Sequence, residues 1–577
     1  MDPTLITSIE KLIKENIFET YSNQFSFLVH NLRISKFIDE PIAELLVQYI
    51  QRNFEKLPIE HLLLALRALQ EVQPAKKHLY QLDWNKIENH ILSKLENDEL
   101  KNIMPFNSLS YLCQHFSPDF IQKVTDKAIK ILKVQLNMKV YQSRWVAVNL
   151  QTLQKFYSSK KLNSKESIKL QQFCQEYASK LPEKLNYLMR DERQNGLGND
   201  AAIIAYNLKQ LDLTKLPSTM IFIEEILMQS ISNINKQCLM LLVQSFGDHC
   251  LHNQMLFHST MAKLDDATNN FNSIQLNEAA IIVYAVGRQP NKGINSTILS
   301  KLQTKTEALI SQNSDDLIKM YGKDYLLNQI LKIYNGLLDF QDSGELTEKT
   351  RNLLQSLLNK NDSFHRRNYF LYTLIFEGQY DLAFSVFKEL ILEELEIIEK
   401  LDQKLSLYDI RLLYLSLSHL MTLGNKEQLQ EYEDRIQKLI VKLKPYIQNS
   451  TRDLIVSDGQ KMILGVLEKV GSKDGLQILQ EYEVGPYYLD IFLPELKLAI
   501  EIDGAHHYSN NKGDQFSKFK ARDRFIKAHG LHIEHIDLIQ IQEALNKSPF
   551  ILESKLAKII KIYKPDLQFT RHQRQIE

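Results

Sequence analysis

The residues with the clearest chemical potential lie near the C-terminal end, in Tyr487-Tyr-Leu-Asp490-Ile-Phe-Leu-Pro-Glu-Leu-Lys-Leu-Ala-Ile-Glu501-Ile-Asp503-Gly-Ala-His506-His507-Tyr508. Tyr487 to Leu493 is apolar and aromatic, Pro494 to Lys497 turns the chain, and Leu498 to Asp503 resumes the apolar run. The stretch reads as an antiparallel hairpin. Alternation along its second strand puts Leu498, Ile500 and Ile502 on one face and Ala499, Glu501 and Asp503 on the other. Two carboxylates at the end of a buried strand, opposite Asp490, are costly unless a divalent cation or a ring of hydrogen-bond donors compensates them. In the first case Asp490 and Glu501 would hold Mg²⁺, which polarises a phosphodiester and activates a water. Asp503 would add a ligand, and His507, titrating near neutrality, would serve as general base or phosphate contact. In the second case the carboxylates are paired to donors and simply fix the hairpin. A zinc set from His506, His507, His532 and His535 exists only on paper, without cysteine partners or a tetrahedral ligand spacing.

Next along the chain comes a locally basic segment in a neutral protein. Lys520, Arg524 and Lys527 fall at i, i+4 and i+7 on one helical stripe, with Phe519 and Ile526 able to face the sheet. Lys512, Lys518 and Arg522 add to the charge, and Tyr508 or Tyr488 could stack an unpaired base. These residue types together suit single-stranded RNA. The plain alternative is a solvated amphipathic helix.

The order Asp490, ten residues, Glu501-x-Asp503-Gly504-x-x-His507-Tyr508, followed by the basic helix, resembles the RAP domain, an RNA-binding module abundant in apicomplexans. That domain is similar in turn to the restriction-endonuclease-like fold and to mismatch-repair endonucleases. The resemblance covers roughly the last fifth of the chain. It implies organellar, chiefly mitochondrial, RNA metabolism, by binding a transcript for processing, stabilisation or translation. It also implies a possible metal-dependent endonuclease of the PD-(D/E)XK type. Here the sequence departs from the pattern, because Asp503 stands where active nucleases carry a lysine. A carboxylate there adds negative charge beside an anionic substrate.

Around this stretch, the remaining elements are mostly helices. The chain has 577 residues, too many for one core, with 18 Gly and 14 Pro thinly spread. Ile59, Leu62, Leu63, Leu66 and Leu69 form an apolar stripe at helical spacing just after Pro58. Asn199-Asp-Ala-Ala-Ile-Ile-Ala-Tyr206 recurs as Asn277-Glu-Ala-Ala-Ile-Ile-Val-Tyr284, with a looser copy at Lys236 to Phe246 midway. A period in the high thirties, one helix pair per unit, predicts an α-solenoid over residues 1–450. The asparagine or acidic residue before each run, Asn199 or Asp200 and Asn277 or Glu278, would serve as a helix N-cap. The repeats resemble those of the Fas-activated serine/threonine kinase family and of octotricopeptide-repeat proteins, which implies RNA or protein partners along the array. Residues 451–550 then form a small α/β domain, resembling the restriction-endonuclease-like fold. Its predicted order is a helix from Ser457 or Asp458 to Val470, a strand Leu476 to Tyr482, the hairpin, a helix Phe516 to His529 and a strand Leu531 to Ile536. Asp537 would cap a last helix, and 551–577 would be a basic tail.

Composition bounds the rest. Hydrophobic content of 44% with 24% charged residues suits a folded chain, and no run of 18 apolar residues suggests a membrane span. With 70 basic and 70 acidic residues, any nucleic-acid surface must be local. Cys113, Cys174, Cys238 and Cys250 are scattered, which suggests buried free thiols without zinc or disulfides. The N-terminus carries acidic residues early and no arginine before Arg33, unlike a transit peptide. Mitochondrial localisation therefore rests on the resemblance, with plastid or cytoplasm as alternatives. A structural subunit of a mitochondrial ribosome or similar assembly is a further class open to this sequence.

Overall fold

Apolar residues at helical spacing, interrupted by short polar turns, make most of this chain helical, and period-2 alternation appears only after Leu476. The computed structural model describes residues 7, 8, 11, 22–35, 37–96, 103–136, 142–189, 196–213, 216–247, 251, 253–289, 294–340, 343–392, 405–448, 458–471, 476–503, 516–537 and 549–565. The chain divides into two compact units, one of residues 1–245 and 250–263, the other of 246–249 and 264–577.

In the first unit, helices Ser22–Ile34, Ile59–Gln70, Met104–Tyr111, Ser143–Ser158 and Leu197–Gln210 each pack against the next. The stripe Ile59, Leu62, Leu63, Leu66 and Leu69 is fully in the core. A polar rung crosses three of these helices: Arg67 donates to Asn107 Oδ1 at 2.7 Å, and Asn107 Nδ2 to Thr152 Oγ1 at 3.0 Å. Such a buried rung stays favourable because each member finds a partner. Cys113, Cys174 and Cys238 are buried free thiols; Cys250 lies outside the described residues.

The second unit continues with α1 (Leu276–Arg288), α2 (Lys323–Leu337), α3 (Phe364–Glu377) and α4 (Leu407–Leu423), again packed in succession. Their starts are 47 (323 − 276), 41 (364 − 323) and 43 (407 − 364) residues apart, longer than the period in the sequence. In each Ala-Ala-Ile-Ile run both alanines and the second isoleucine are buried and the first isoleucine is half-buried, but the N-caps lie two to three residues before Asn277 and Asn199. Gly196 and Gln275 occupy the N-cap positions. Asn199 instead accepts the Asn235 backbone N–H, and Glu278 closes a capping box with Gln275. Where α1 crosses α2, Gly287 and Gly336 let the backbones touch: a Cβ on Gly336 would lie 2.5 Å from the Val283 carbonyl oxygen.

The C-terminal layer follows in the expected order. α5 (Asp458–Gly471) precedes β1 (Leu479–Val484), β2 (Tyr487–Leu493) and β3 (Leu498–Asp503), then α6 (Ser517–Ala528), β4 (His532–Asp537) and α7 (Pro549–Tyr563). The sheet order is β1-β2-β3-β4, antiparallel up to β3, with β4 parallel to β3 across the connection that contains α6. Gly485 turns β1 into β2 at φ 58°, where a Cβ would strike the Phe525 ring at 2.5 Å. Ile491, Leu493, Leu498 and Ile500 pack on one face with α5 and α7; Phe492 and Ala499 pack on the other with Phe525 and Ile526 of α6. Helices on both faces explain why β3 is apolar almost throughout. Three expectations change. β1 runs from Leu479 to Val484 rather than from Leu476 to Tyr482, Asp537 ends β4 rather than capping a helix, and residues 551–563 of the expected tail are the body of α7, whose Leu552, Leu556 and Ile560 are buried, while 566–577 lie outside the described residues. The expected boundary at residues 449–453 lies outside the described residues.

Candidate functional site

The carboxylates of the hairpin project from the α6 face of the sheet, as alternation requires. Register aligns Ile491 with Ile500, which brings Asp490 beside the end of β3. Asp490 Oδ2 accepts the Ile502 backbone N–H at 2.9 Å. Glu501, 1% exposed, receives Arg522 Nη1 on Oε2 at 2.8 Å. The parallel pairing of β3 with β4 sets Glu501 opposite His535 and Asp503 opposite Asp537. His535 then bridges two carboxylates, with Nδ1 2.8 Å from Asp503 Oδ2 and Nε2 2.9 Å from Asp523 Oδ2.

Electrostatics follow from these pairs. Burial alone would lower the His535 pKa, but hydrogen bonds and charge from Asp503 and Asp523 outweigh it and raise the value to about 9. Both ring nitrogens therefore donate, and the imidazolium acts as a fixed cation. Burial raises Glu501 to about 8, opposed by Arg522 and His535 and reinforced by the Asp490 charge. Arg522 Nε and Nη2, Glu501 Oε1 and Asp523 Oδ1 make no hydrogen bond among the described residues. The cluster is thus a buried polar network in which the His535 imidazolium links Asp503 and Asp523 while Arg522 bonds Glu501, and breaking any one contact strands a buried group.

This donor set does not fit the expected Mg²⁺. Glu501 faces a guanidinium, Asp503 faces an imidazolium, and a divalent cation placed there would be repelled by both. Among the described residues no group of three or more His, Cys, Asp or Glu is arranged to hold a metal ion. His535, suggested for zinc only on paper, is committed to its two aspartates, and His532 packs on the Tyr563 ring at 4.7 Å. His506, His507, Tyr508 and Lys512 lie outside the described residues.

The basic helix divides its cations among different tasks. Lys520 and Lys527 are exposed. Arg522 is spent on Glu501. Arg524 reaches the helical layer: Nη2 donates to the Phe376 and Ile375 carbonyls at 2.9 and 3.2 Å, and Nε to the Tyr380 hydroxyl at 3.2 Å. These carbonyls end α3, where a cation is favoured by the unpaired carbonyls and the helix dipole. Lys518 is half-buried at the start of α6, and Phe519 lies beside it and Arg522 rather than in the sheet core. Around Arg524 the contact is extensive. Ser517 donates its N–H and hydroxyl to Asp339 Oδ1; its hydroxyl also lies 3.0 Å from the Leu338 carbonyl. His419 shares a 2.7 Å hydrogen bond with the Tyr487 hydroxyl. His419 is fully buried, and burial, with Arg524 and His529 nearby, depresses its pKa to about 3, so it is neutral.

Sequence reasoning missed Asp523 and His535 as members of the acidic cluster, and Arg522 and Arg524 as internal ligands. A comparison with protein-family models finds no match for this chain.

Proposed function

We propose that this chain is an organellar RNA-binding protein, mitochondrial by its resemblance to RAP-domain proteins, acting in transcript processing, stability or translation. In this reading a solenoid of helical-hairpin repeats carries a C-terminal RAP-like domain of restriction-endonuclease-like descent. That domain binds RNA without cutting it. The observation that carries the choice of binding over cleavage is the pairing of Glu501 with Arg522 and of Asp503 with His535. Carboxylates neutralised from within are unavailable to a catalytic metal. Lys520 and Lys527 remain exposed for phosphate contact, and each lost contact to a single strand lowers the salt slope by about 0.7.

The test is crosslinking in cells followed by RNA sequencing, comparing the parent with a Lys520→Gln/Lys527→Gln double variant. A defined transcript should be enriched with the parent and reduced with the variant. A formal net charge of zero favours a second reading, a structural subunit of a large organellar assembly such as a mitochondrial ribosome. Quantitative co-sedimentation with such an assembly, with no RNA crosslinked to the chain itself, would replace the first reading with the second.

A further inference from the structure

Away from its C-terminal layer, the second unit carries a broad, open polar groove of about 750 Å³, between the turn 268–273 and the helix Ser296–Ile310. The turn takes its shape from three successive residues with left-handed backbone, Asn269, Asn270 and Phe271, at φ 51, 57 and 61°. Asparagine tolerates this conformation, and the fully buried Phe271 ring anchors the turn. Lys301 then ties the turn to the helix: its ammonium donates to Asn270 Oδ1 and, at 2.9 Å, to Asp265 Oδ2. Lys305 donates to the Asn272 carbonyl at 2.9 Å. The groove is therefore preformed.

Two rows of side chains line its helical wall. Ser296, Ser300 and Thr304 recur at intervals of four and are all exposed, and Lys301 and Lys305 keep the same interval on the adjoining row. Neighbours in a row stand about 6 Å apart along the axis, close to the separation of successive phosphates in an extended strand. Among the described residues no aromatic ring and no carboxylate lines the groove; Asp265 is buried and lies outside the lining. An ammonium has three donors, so Lys301 keeps one and Lys305 two for a ligand. The Ser296 and Ser300 hydroxyls both donate and accept, and Thr304, which gives its proton to the Ser300 carbonyl, accepts. A ribose–phosphate chain offers the counterparts: phosphate oxygens that only accept, and 2′-hydroxyls that do both. An acidic peptide would meet the lysines but brings no hydroxyl row of its own. A small ligand, normally buried over roughly 70–90% of its surface, would be left open to solvent here.

We propose that this groove carries the sugar–phosphate backbone of single-stranded RNA: successive phosphates meet Lys301 and Lys305, and the 2′-hydroxyls between them pair with the row Ser296, Ser300 and Thr304. With no ring to stack a base, the track is blind to sequence. The proposal rests on the RNA-binding reading above and deepens it, by adding a backbone track on the helices to the lysines of α6.

The experiment measures anisotropy of labelled decauridylate and of the matching deoxyuridine decamer against salt, using the full chain. The parent should prefer RNA over DNA by about 2- to 10-fold, as a net hydrogen bond to a 2′-hydroxyl allows. Lys301→Gln/Lys305→Gln should weaken decauridylate binding roughly 5- to 30-fold at about 0.1 M salt and lower the salt slope by about 1.4. Because Lys301 also holds Asp265, a second variant leaves both lysines in place. Ser300→Glu/Thr304→Glu sets carboxylates on exposed positions and should weaken RNA binding to a similar extent. Lys305→Arg should bind like the parent. If both folded double variants bind like the parent while Lys520→Gln/Lys527→Gln binds less, or if the parent binds the two strands equally, the groove proposal falls and the RNA-binding reading stands. If the parent binds neither strand, both fall. If the groove variants keep their RNA affinity but lose a protein partner, the groove is a protein-docking site and the proposal is overturned.

Discussion

Arg524 caps the end of α3 through a residue 148 positions before it (524 − 376): its guanidinium donates to the Phe376 carbonyl at 2.9 Å. The C-terminal α/β layer is thereby bolted to the helices of its own unit through the backbone of α3, with Ser517–Asp339 and His419–Tyr487 as further attachments. A cation expected on an RNA surface instead joins two structural layers.

Loss of that bolt should be visible in stability. Arg524→Gln strands the α3 carbonyls and removes charge-assisted hydrogen bonds, each worth about 1.5–3 kcal/mol. We expect a drop of roughly 2–4 kcal/mol in denaturant unfolding and faster proteolysis near Gly378. Lys527→Gln, on the exposed face, should stay within about 0.5 kcal/mol of the parent. Equal behaviour of the two variants would show that Arg524 contributes no docking energy.

The acidic cluster predicts a pH dependence of definite sign. His535 has its folded pKa raised from 6.5 to about 9, and Glu501 from 4.5 to about 8. A raised folded pKa means tighter proton binding in the native state. Each contribution is therefore whole below the unfolded pKa and is lost as pH rises through the folded one. Stability should fall from about pH 4.5 to 8 through Glu501 and from about pH 6.5 to 9 through His535, the latter on the order of 3 kcal/mol. Denaturant midpoints at several pH values would read this, and His535→Gln should flatten the alkaline part of the curve. A parent midpoint that holds steady across that window contradicts the imidazolium bridge.

The crossing of α1 and α2 predicts a sharp glycine requirement. Gly336→Ala puts a Cβ 2.5 Å from the Val283 carbonyl oxygen, so the helices must separate, at about 1–3 kcal/mol. Gly344→Ala, which meets nothing within 4 Å, should be neutral or slightly stabilising. Similar melting of both variants would mean that the crossing tolerates expansion.

Catalysis offers the most direct challenge to the binding role. The purified chain should leave single-stranded RNA intact in Mg²⁺. Asp490→Asn should cost about 1–3 kcal/mol of stability, by weakening the bond to the Ile502 N–H, and change no activity. Mg²⁺-dependent cleavage that disappears in Asp490→Asn would make this protein a nuclease.

The hairpin was readable to the residue, since both Tyr487–Leu493 and Leu498–Asp503 are short, largely apolar runs bounded by turn formers. The acidic face of β3 was legible from strand alternation. Its partners were not. Arg522 and His535 reach Glu501 and Asp503 through the packing of α6 and the parallel register of β4, and neither leaves a mark in linear spacing. α7 was hidden behind its lysines, which masked buried positions at Leu552, Leu556 and Ile560.

The attachment between α6 and the helical layer also has a consequence in time. During synthesis, Asp339 and the carbonyls of Ile375 and Phe376 leave the ribosome long before Ser517 and Arg524 exist. At about 5–20 residues per second, the wait for Arg524 is roughly 7–30 s. During it, the end of α3 and, once made, the His419 surface of α4 lack their α6 and β2 cover and are open to chaperones. The helices of the second unit are thus completed by the last-made fifth of the chain, and a nascent chain halted before Ser517 would keep that surface bare.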